Sequence, residues 1–517
     1  MAVRLRKWVP DRTNGVRQPA MIAVFILCPD CRRRSGLHLP AGAPARHLTR
    51  LSPARWTRRD PRSSHPQRQR RSKGTEAPVK AVEFNVTIPG FLLAKTLGRF
   101  SDAFVYGRAS RLGLVERPRP ELPGDDWVRV EVLLCGICGS DLGNVSYKSS
   151  PAMEPFGSFP AILGHEILGR VAEVGPGVVH VAPGDRVVID PMLHCEVRGW
   201  EEKAWCPSCV AGLHSTCELS GEEGAPAGDA HPMRDADGHV AADRGPGVGL
   251  ELGRPLAPGL TIGYHRDLAG GWGEEMIAHR RQVFTVPHDV PDRVAVLTEP
   301  LSIGVHGVLR SGALRSPGPI LVIGSGAIAF GTIWALRTLG YEGRLVAQAK
   351  RPHEVELAAA LGADETITPG DEARQALIDT GARAYMPVVG PEVYAGGGFD
   401  LVFDCVGNQP SLAQSIGFAT ARGQIVVLGC AGQIRKLDLT FLWAKELRLQ
   451  GYVGYGAEEW EGRRVHTFEV ALARMRDDPR ALGGLVTHVY PLEQYRDALR
   501  SAYDHRRSGA VKVALQP

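Results

Sequence analysis

Alternation of apolar and charged residues marks one part of the chain as β structure. From Val128 the stretch VRVEVLL has the two-residue period of a half-buried strand. Downstream, FPAILGHEILGRVAEVGPGVVHVAPGDRVVIDP consists of short β-like runs broken by Gly, Pro and Asp. These patterns predict a small barrel-like β domain.

A different pattern predicts a second domain of the α/β class. GPILVIGSGAIAFGTIWALRTLG contains a buried strand from Ile320 to Ile323, a glycine turn and then an amphipathic helix. Gly324 allows the tight turn, Gly326 lets a pyrophosphate approach the helix N-terminus, and Ala329 takes the third position, where Ala is accepted. The pattern predicts a doubly wound parallel sheet that binds a dinucleotide.

The strand after this helix bears on which dinucleotide is bound. In NAD-binding folds of this kind, a carboxylate at the end of that strand grips the ribose hydroxyls. In RLVAQAKRPHEVELAAALGAD the acidic position aligns with Ala349, and Lys350 and Arg351 follow it. Two cations without a carboxylate suit a 2′-phosphate and predict NADP(H). The alternative interpretation is a solvated basic turn.

Chain length and cysteine content limit the classes to consider. At 517 residues the chain exceeds what one hydrophobic core serves, so two domains plus extra segments are expected. The longest apolar run, from Met21 to Cys28, is far shorter than the ~20 residues of a membrane helix, so no membrane partner is expected. Ten cysteines do not predict a disulfide framework, and clustered ones are tested first as metal ligands. The pair Cys28 and Cys31 has no second pair nearby, which favours incidental cysteines over a zinc ribbon.

Residues 1–78 differ in charge from the rest of the chain. They carry 18 Lys and Arg against 4 Asp and Glu, a net of +14, so the remaining residues, within a total of +5, carry −9. An acidic body gives no reason to expect nucleic acid as its partner. RRDPRSSHPQRQRRSKG has no apolar period and predicts disorder. Three interpretations stay open: a transit peptide, a nucleic-acid-binding arm, and a misassigned start with Val79 as the initiator.

Candidate metal ligands lie beside the strand ends of the first domain. Cys138 offers a thiolate, His165 an imidazole and Glu166 a carboxylate, which are ligand types that zinc accepts. GICGSD followed by GHEILGRVAEVG, with Cys138 and His165 27 positions apart, resembles the zinc-dependent branch of the medium-chain dehydrogenase/reductase superfamily, the alcohol, polyol and threonine dehydrogenases. The resemblance implies that Cys138 and His165 bind a catalytic zinc, and that Glu166 lies in or beside the coordination sphere. It also implies that Ser140 passes the substrate proton onward; Cys135 is the alternative thiol ligand.

The third protein ligand varies within the family. AVLTEPLSIGVHGVL, residues 295–309, resembles the polyol and sugar branch, which has glutamate where other members supply a cysteine. The resemblance places Glu299 as a direct or water-mediated carboxylate. The alternative is a charge favoured by the dipole at a helix N-terminus.

A second zinc site is expected in a cysteine-rich lobe, residues 195–217. The family has four cysteines there, spaced Cys-x2-Cys-x2-Cys-x7-Cys, and this chain matches the last three with Cys206, Cys209 and Cys217. Lys203 occupies the first position, so Cys195 is the closest substitute from an enlarged loop. His194 and His214 are nearby alternatives, and three reduced cysteines without metal are the other possibility.

The resemblance spans residues 79–517 apart from an insertion and implies a split GroES-like β catalytic domain around a Rossmann domain. The predicted segments are a basic extension (1–78), the catalytic domain (79–302, with lobe 195–217 and insertion 218–259), the Rossmann domain (303–448) and a return to the catalytic domain (449–517). Trp272 is a candidate for the substrate cleft or for the core.

Together these features predict a zinc-dependent oxidoreductase that interconverts a small-molecule alcohol and its carbonyl by hydride transfer with NAD(P). The alcohol is expected to be a polyol, sugar or hydroxy-amino acid, and analogy adds a homo-oligomer, dimer or tetramer, in the cytoplasm. One rival is a zinc-free quinone or enoyl reductase of the same fold, which the presence of Cys138, His165 and Glu166 together disfavours. A second rival is an NADP-sensing or nucleic-acid-binding protein that uses the basic arm.

Overall fold

The computed structural model describes residues 77–98, 100–101, 104–107, 110–225, 255–430, 432–477 and 482–517. Residues 1–76 of the basic extension, with Cys28 and Cys31, lie outside the described residues, as do residues 226–254 of the predicted insertion. Among the described residues, no helix combines the length and the apolar character needed to cross a membrane.

The strands are β1 (Val79–Phe84), β2 (Leu112–Arg117), β3 (Trp127–Gly136), β4 (Ala161–Ile162), β5 (Glu166–Val174), β6 (Arg186–Ile189), β7 (Glu275–His279), β8 (Val283–Thr285), β9 (Ile320–Ile323), β10 (Leu345–Gln348), β11 (Glu365–Ile367), β12 (Arg383–Tyr385), β13 (Val393–Ala395), β14 (Phe399–Asp404), β15 (Ala419–Val427), β16 (Arg448–Gly451), β17 (Ala457–Trp460), β18 (Arg463–His466), β19 (Val486–Pro491) and β20 (Lys512–Gln516). The helices are α1 (Ile88–Leu97), α2 (Gly139–Val145), α3 (Pro207–Val210), α4 (Asp292–Ala295), α5 (Thr298–Ser311), α6 (Ala327–Thr338), α7 (Pro352–Ala360), α8 (Asp371–Ile378), α9 (Gln409–Phe418), α10 (Thr440–Ala444), α11 (Thr467–Asp477), α12 (Tyr495–Tyr503) and α13 (His505–Ser508).

The β domain is built on a seven-stranded sheet in the order β19-β20-β3-β5-β6-β8, with β7 also paired to β3. The alternating stretch that begins at Val128 forms most of β3, and its partner β5 runs antiparallel from Glu166 opposite Gly136. Strand β20, from the far end of the chain, pairs with the last residues of β3. A separate three-stranded sheet has the order β2-β1-β4. The chain therefore leaves this domain and returns to complete it.

The α/β domain has a six-stranded sheet in the order β11-β10-β9-β14-β15-β16, and every neighbouring pair is parallel. The strand expected from Ile320 to Ile323 is present with those bounds as β9, and all four residues are buried. The strand order reverses between β9 and β14, and in such sheets ligands bind outside the carboxyl ends of the strands at this point. The sheet is thus arranged for a dinucleotide.

Two expected domain boundaries fall inside single elements. The boundary after residue 302 lies within α5, a continuous helix from Thr298 to Ser311. The boundary after residue 448 lies within β16, the edge strand of the parallel sheet. All four residues of β16 are exposed, so the strand has no apolar period by which sequence reasoning could locate it.

The described ends of the insertion are joined to each other. The Gly224 amide donates to the Leu256 carbonyl at 2.7 Å, and the Gly259 amide donates to the Ser220 carbonyl at 2.8 Å. The insertion therefore leaves and re-enters the β domain at one place.

Candidate functional site

The end of β3 and the start of β5 bring three metal-ligating side chains together. Cys138 is the N-cap of α2, just after β3, and His165 immediately precedes β5. One ligand atom from each of Cys138, His165 and Glu166 lies within 4.8 Å of the other two. The antiparallel pair Gly136 and Glu166 explains the proximity, because a side chain at Gly136 would overlap the Glu166 carboxylate. We call this group the cleft cluster.

Cys135, the alternative thiol, occupies a different environment. It is fully buried within β3, and its thiol donates to the Gly136 carbonyl at 3.6 Å. Burial raises the pKa of Cys135 well above its ordinary value. The structure thus groups Cys138 with His165 and leaves Cys135 in the core.

Buried polar groups fix the orientation of the cleft cluster. Asp141 is fully buried; its Oδ2 accepts from the Cys138 amide at 2.8 Å, and its Oδ1 lies 3.4 Å from His165 Nδ1. Burial alone would lower the pKa of His165, but Asp141 and Cys138 raise it well above the ordinary value. Tyr264 Oη donates toward Asp141 Oδ1 at 2.7 Å and Ser140 Oγ at 2.9 Å. Sequence reasoning missed Tyr264, which follows the insertion and has no spacing relation to the metal residues.

A buried lysine balances the charge of Glu166. Lys512 Nζ contacts the two carboxylate oxygens of Glu166 at 2.6 and 2.8 Å and the Ile137 carbonyl at 3.3 Å. Both side chains are buried. Lys512 begins β20, so the returning strand supplies the counter-ion. The sequence carries a signal for it, because a lysine in the apolar stretch GAVKVAL is a candidate buried cation.

Glu299 lies in the first turn of α5 and is almost completely buried. Its Oε1 accepts from Tyr455 Oη at 3.1 Å. Burial raises the pKa of Glu299 to about 7, although the nearby His165 acts in the opposite direction. Glu299 is close enough to interact electrostatically with the cleft cluster, but it is outside the group whose ligand atoms all lie within 4.8 Å of one another.

The four cysteines of the lobe come together as a second site. One ligand atom from each of four buried residues lies within 4.8 Å of the others: Cys195, Cys206, Cys209 and Cys217. The sulfurs accept backbone N–H groups, from Cys206 to Cys195 Sγ at 3.4 Å and from Glu218 to Cys206 Sγ at 3.4 Å. All four are free thiols, and a donor set of four thiols fits tetrahedral zinc. Lys203, at the family's first cysteine position, is exposed at the surface.

The two histidines considered as alternative lobe ligands lie in another cluster. The His194 ring stacks on His214 with centroids 4.2 Å apart, and His214 approaches Asp190 and His466. His466 Nδ1 accepts from the Phe468 amide at 3.2 Å, and its Nε2 lies 3.2 Å from Asp190 Oδ2. Asp190, His214 and His466 thus form a third group whose ligand atoms lie within 4.8 Å of one another, and this group was not predicted.

The glycine turn after β9 has the form expected for a dinucleotide site. Gly324 has φ +127°, a conformation that disfavours other residues, and Gly326 is the N-cap of α6. A side chain at Gly326 would meet open space, whereas Ala329 is buried against the turn. The first turn of α6 is thus accessible to a phosphate.

At the end of β10 the structure adds a negative charge to the two positive charges expected from the sequence. Ala349 is buried and Lys350 is exposed. However, Glu354 forms an ion pair with Arg351 and accepts from the Lys350 amide at 3.0 Å. A carboxylate is therefore present, contributed by the first turn of α7, and it partly neutralises Arg351.

The cleft cluster faces the nucleotide sheet. Cys430, three residues after β15 and exposed at the surface, is close enough to Cys138 and His165 to interact with them electrostatically. Trp272 does not line this cleft: it is fully buried, and its Nε1 donates to the Gly136 carbonyl at 3.4 Å. The core interpretation of Trp272 is the one the structure supports.

Comparison with known proteins gives two family matches. The alcohol dehydrogenase GroES-like domain matches residues 124–288, and the zinc-binding dehydrogenase family matches residues 327–468. The chain is 26% identical over 422 residues to (R,R)-butanediol dehydrogenase of Saccharomyces cerevisiae, covering 77% of this chain and 94% of that protein. It is 25% identical over 415 residues to sorbitol dehydrogenase of Gallus gallus, covering 80% and 96%.

Solved structures share the fold. A zinc-binding dehydrogenase of Sinorhizobium meliloti 1021, solved bound to NADP, superposes with a TM-score of 0.57 at 23% identity and covers 86% of this chain and 100% of that one. The 2R,3R-butanediol dehydrogenase of Bacillus subtilis gives a TM-score of 0.57 at 20% identity, with 85% and 99% covered. At these identities the likeness establishes the architecture.

Proposed function

We propose a reaction for this chain from the fact that it belongs to the zinc-dependent medium-chain dehydrogenase/reductase family. The chain is an oxidoreductase of the alcohol and polyol class that uses zinc and a nicotinamide cofactor. Its proposed substrates are vicinal diols and polyols, oxidised at one carbon to the carbonyl. The observation that carries this proposal is the cleft cluster, in which Cys138, His165 and Glu166 converge opposite the nucleotide sheet.

Several residues of the chain have distinct proposed roles at this site. Cys138 and His165 would hold the metal, with Glu299 as the further carboxylate. When bound, zinc polarises the substrate oxygen as a Lewis acid and the nicotinamide takes up hydride. Ser140, a short hydroxyl beside Cys138, would relay the substrate proton: it would take up that proton at Oγ and release its own hydroxyl proton toward the cofactor ribose and solvent. Tyr264 donates toward Ser140 and so orients that hydroxyl.

The cofactor is proposed to be NADP(H), with Lys350 as the residue that contacts the 2′-phosphate. Lys350 supports this assignment because it is exposed and follows the buried Ala349 at the end of β10. Arg351 contributes less, because Glu354 pairs with it. A wild-type preference for NADP⁺ over NAD⁺ that falls about tenfold or more in Lys350→Ala, with Lys436→Ala as an exposed-lysine control, would support the assignment. Equal use of both cofactors by the wild type would reject it.

A second zinc is proposed for the four-cysteine lobe. The convergence of four buried free thiols supports it, with Cys195 as the displaced fourth ligand. The test is elemental zinc per chain in wild type, Cys138→Ser and Cys195→Ser, together with oxidation of a diol and polyol panel. Two zincs in wild type and about one in each variant are expected, with turnover lost in Cys138→Ser. A zinc-free wild type that still reduces quinones or enones would favour the zinc-free reductase instead.

The proposed assembly is a homo-oligomer that binds small molecules and no nucleic acid. Two features support it: β16 presents an exposed sheet edge, and Trp443 beside it is 73% exposed. The net charge of −9 over residues 79–517 gives nucleic acid no electrostatic attraction. Light scattering coupled to size-exclusion chromatography checks the mass, and a monomer would contradict the proposal.

A further inference from the structure

The loop between the third and fourth lobe cysteines is joined to a distant segment, residues 454–457. Ser215 Oγ accepts from the Tyr455 amide at 2.8 Å and donates to the Tyr455 carbonyl at 2.6 Å. The Ala457 amide donates to the Gly212 carbonyl at 2.8 Å. A side chain at Gly454 would overlap Ser215, so the two backbones are in close contact. We call this contact the lobe clamp.

The side chain of Tyr455 points the other way, into the active site. It is fully buried, packs on Phe468 with ring centroids 4.8 Å apart, and donates its hydroxyl to Glu299 Oε1 at 3.1 Å. Its backbone is therefore held by the lobe, and its hydroxyl holds a carboxylate beside the cleft cluster. One residue links the two cysteine sites.

The order of the lobe depends on its cysteines. Among the described residues, the apolar cluster of the four buried thiols is completed by the partly buried Trp200, Trp205 and Leu219, which is a small core for a loop. A loop that carries a set of four cysteine ligands becomes ordered when it binds its metal ion. Ser215 lies two residues before Cys217, so its position follows that of the lobe.

We propose that Tyr455 is a positioning residue through which the four-cysteine lobe holds Glu299 in place for catalysis. The inference rests on the proposed function, since Glu299 acts only if the cleft carries a metal and a substrate. No displacement of the chain is required, because the lobe clamp and the Tyr455–Glu299 bond are present together. Loss of the Tyr455 hydroxyl leaves Glu299 buried without this donor, and loss of the lobe clamp removes contacts that hold Tyr455 in position.

The test uses the zinc-loaded full chain with Ser215→Ala, Tyr455→Phe and the double variant. Thr216→Ala is the matched control, because Thr216 Oγ1 donates within the lobe to the Leu213 carbonyl and does not contact residues 454–457. We expect each single variant to lower kcat about 10- to 150-fold with KM changed less than about threefold, the range for one lost hydrogen bond to a charged group. The double variant should lower kcat no further than Tyr455→Phe alone, because the two substitutions interrupt the same series of contacts between the lobe and Glu299. The control should stay within about twofold of wild type.

A second measurement separates this inference from the proposed function. The transfer of zinc from the protein to a chromogenic chelator can be followed over time without substrate. The kinetic phase that is absent in Cys138→Ser reports release of zinc from the cleft, and we call it the cleft phase. Ser215→Ala and Tyr455→Phe should accelerate that phase by a similar factor, and Thr216→Ala should not. Multiplying effects in the double variant, or an unchanged cleft phase in Ser215→Ala, would overturn the coupling. A wild type that binds zinc but oxidises no alcohol would instead overturn the proposed function, leaving the metal-transfer result to be judged alone.

Discussion

The cleft cluster and the four-cysteine lobe both gather metal-ligating side chains, but they are supported in opposite ways. Several polar members of the cleft have partners from remote segments: Tyr264 for Ser140 and Asp141, Lys512 for Glu166 and Tyr455 for Glu299. The lobe has four thiols from one short segment, supported by backbone N–H groups. Remote contacts of the fold therefore support the cleft, whereas the lobe has the four thiols that the proposed zinc would join.

The largest expected effect is on the stability of the lobe. Cys209→Ser should lose about one zinc per chain and at least about 5 kcal/mol of unfolding free energy, because structural zinc contributes about 10–16 kcal/mol in small peptides. Urea denaturation with tryptophan fluorescence measures the loss, since Trp200 and Trp205 border the site. Ser208→Ala, in the same helix, should unfold close to wild type. A Cys209→Ser protein as stable as wild type would show that the lobe holds itself without metal.

Cys138→Ser should lower the activity strongly while it leaves the stability of the protein nearly unchanged. We expect kcat/KM to fall at least about 1000-fold, about 4 kcal/mol of transition-state stabilisation, because the metal position is lost. The urea midpoint should change little, since Asp141, Lys512 and Tyr264 remain in place. Cys135→Ala, in the neighbouring core, should retain most of the zinc. Loss of zinc in Cys135→Ala with retention in Cys138→Ser would reverse the assignment.

Lys512→Met tests whether charges in the cleft are balanced by remote partners. Removing the ammonium leaves Glu166 buried and unpaired, which costs about 3–5 kcal/mol of unfolding free energy. Adding Glu166→Gln should restore much of that stability, because the remaining carboxamide is neutral. Urea unfolding of the single and double variants measures both effects. A single variant of wild-type stability would mean that Glu166 reaches solvent.

The smallest expected effect belongs to Tyr264→Phe. The change removes one hydroxyl that donates toward Ser140 and Asp141 and keeps the ring against His165, so we expect about a tenfold loss of kcat. Zinc content should stay at the wild-type value. Tyr490→Phe removes a hydroxyl that contacts only Ser501 and serves as the control. Equal kinetics in the two variants would remove Tyr264 from the site.

Local patterns predicted the parts of each site that lie close together in sequence. The glycine turn followed a run of four buried residues, and three lobe cysteines lay within twelve positions, so both were visible as spacing. Cys195 was harder to assign, because a family position was filled by the exposed Lys203. Tyr264, Tyr455 and Lys512 were not predicted, because sheet pairing and loop docking bring them to the cleft from segments with no sequence relation to it. Glu354 was missed although it is close in sequence, only three residues beyond Arg351. It lies in the first turn of α7, which brings its carboxylate next to Arg351.

Because β20 pairs with β3, the β domain can be completed only late in the synthesis of the chain. Ile137, just beyond β3, and Lys512 are 375 residues apart, and a ribosome adds about 5–20 residues per second, so about 20–75 s pass between their syntheses. During that interval the end of β3 lacks its partner strand and Glu166 lacks its cation. The parallel sheet from β9 to β16 can form in this window, because all six of its strands are already made. The nucleotide-binding half is thus expected to fold during synthesis, while the metal cleft is completed only after β20 has been made.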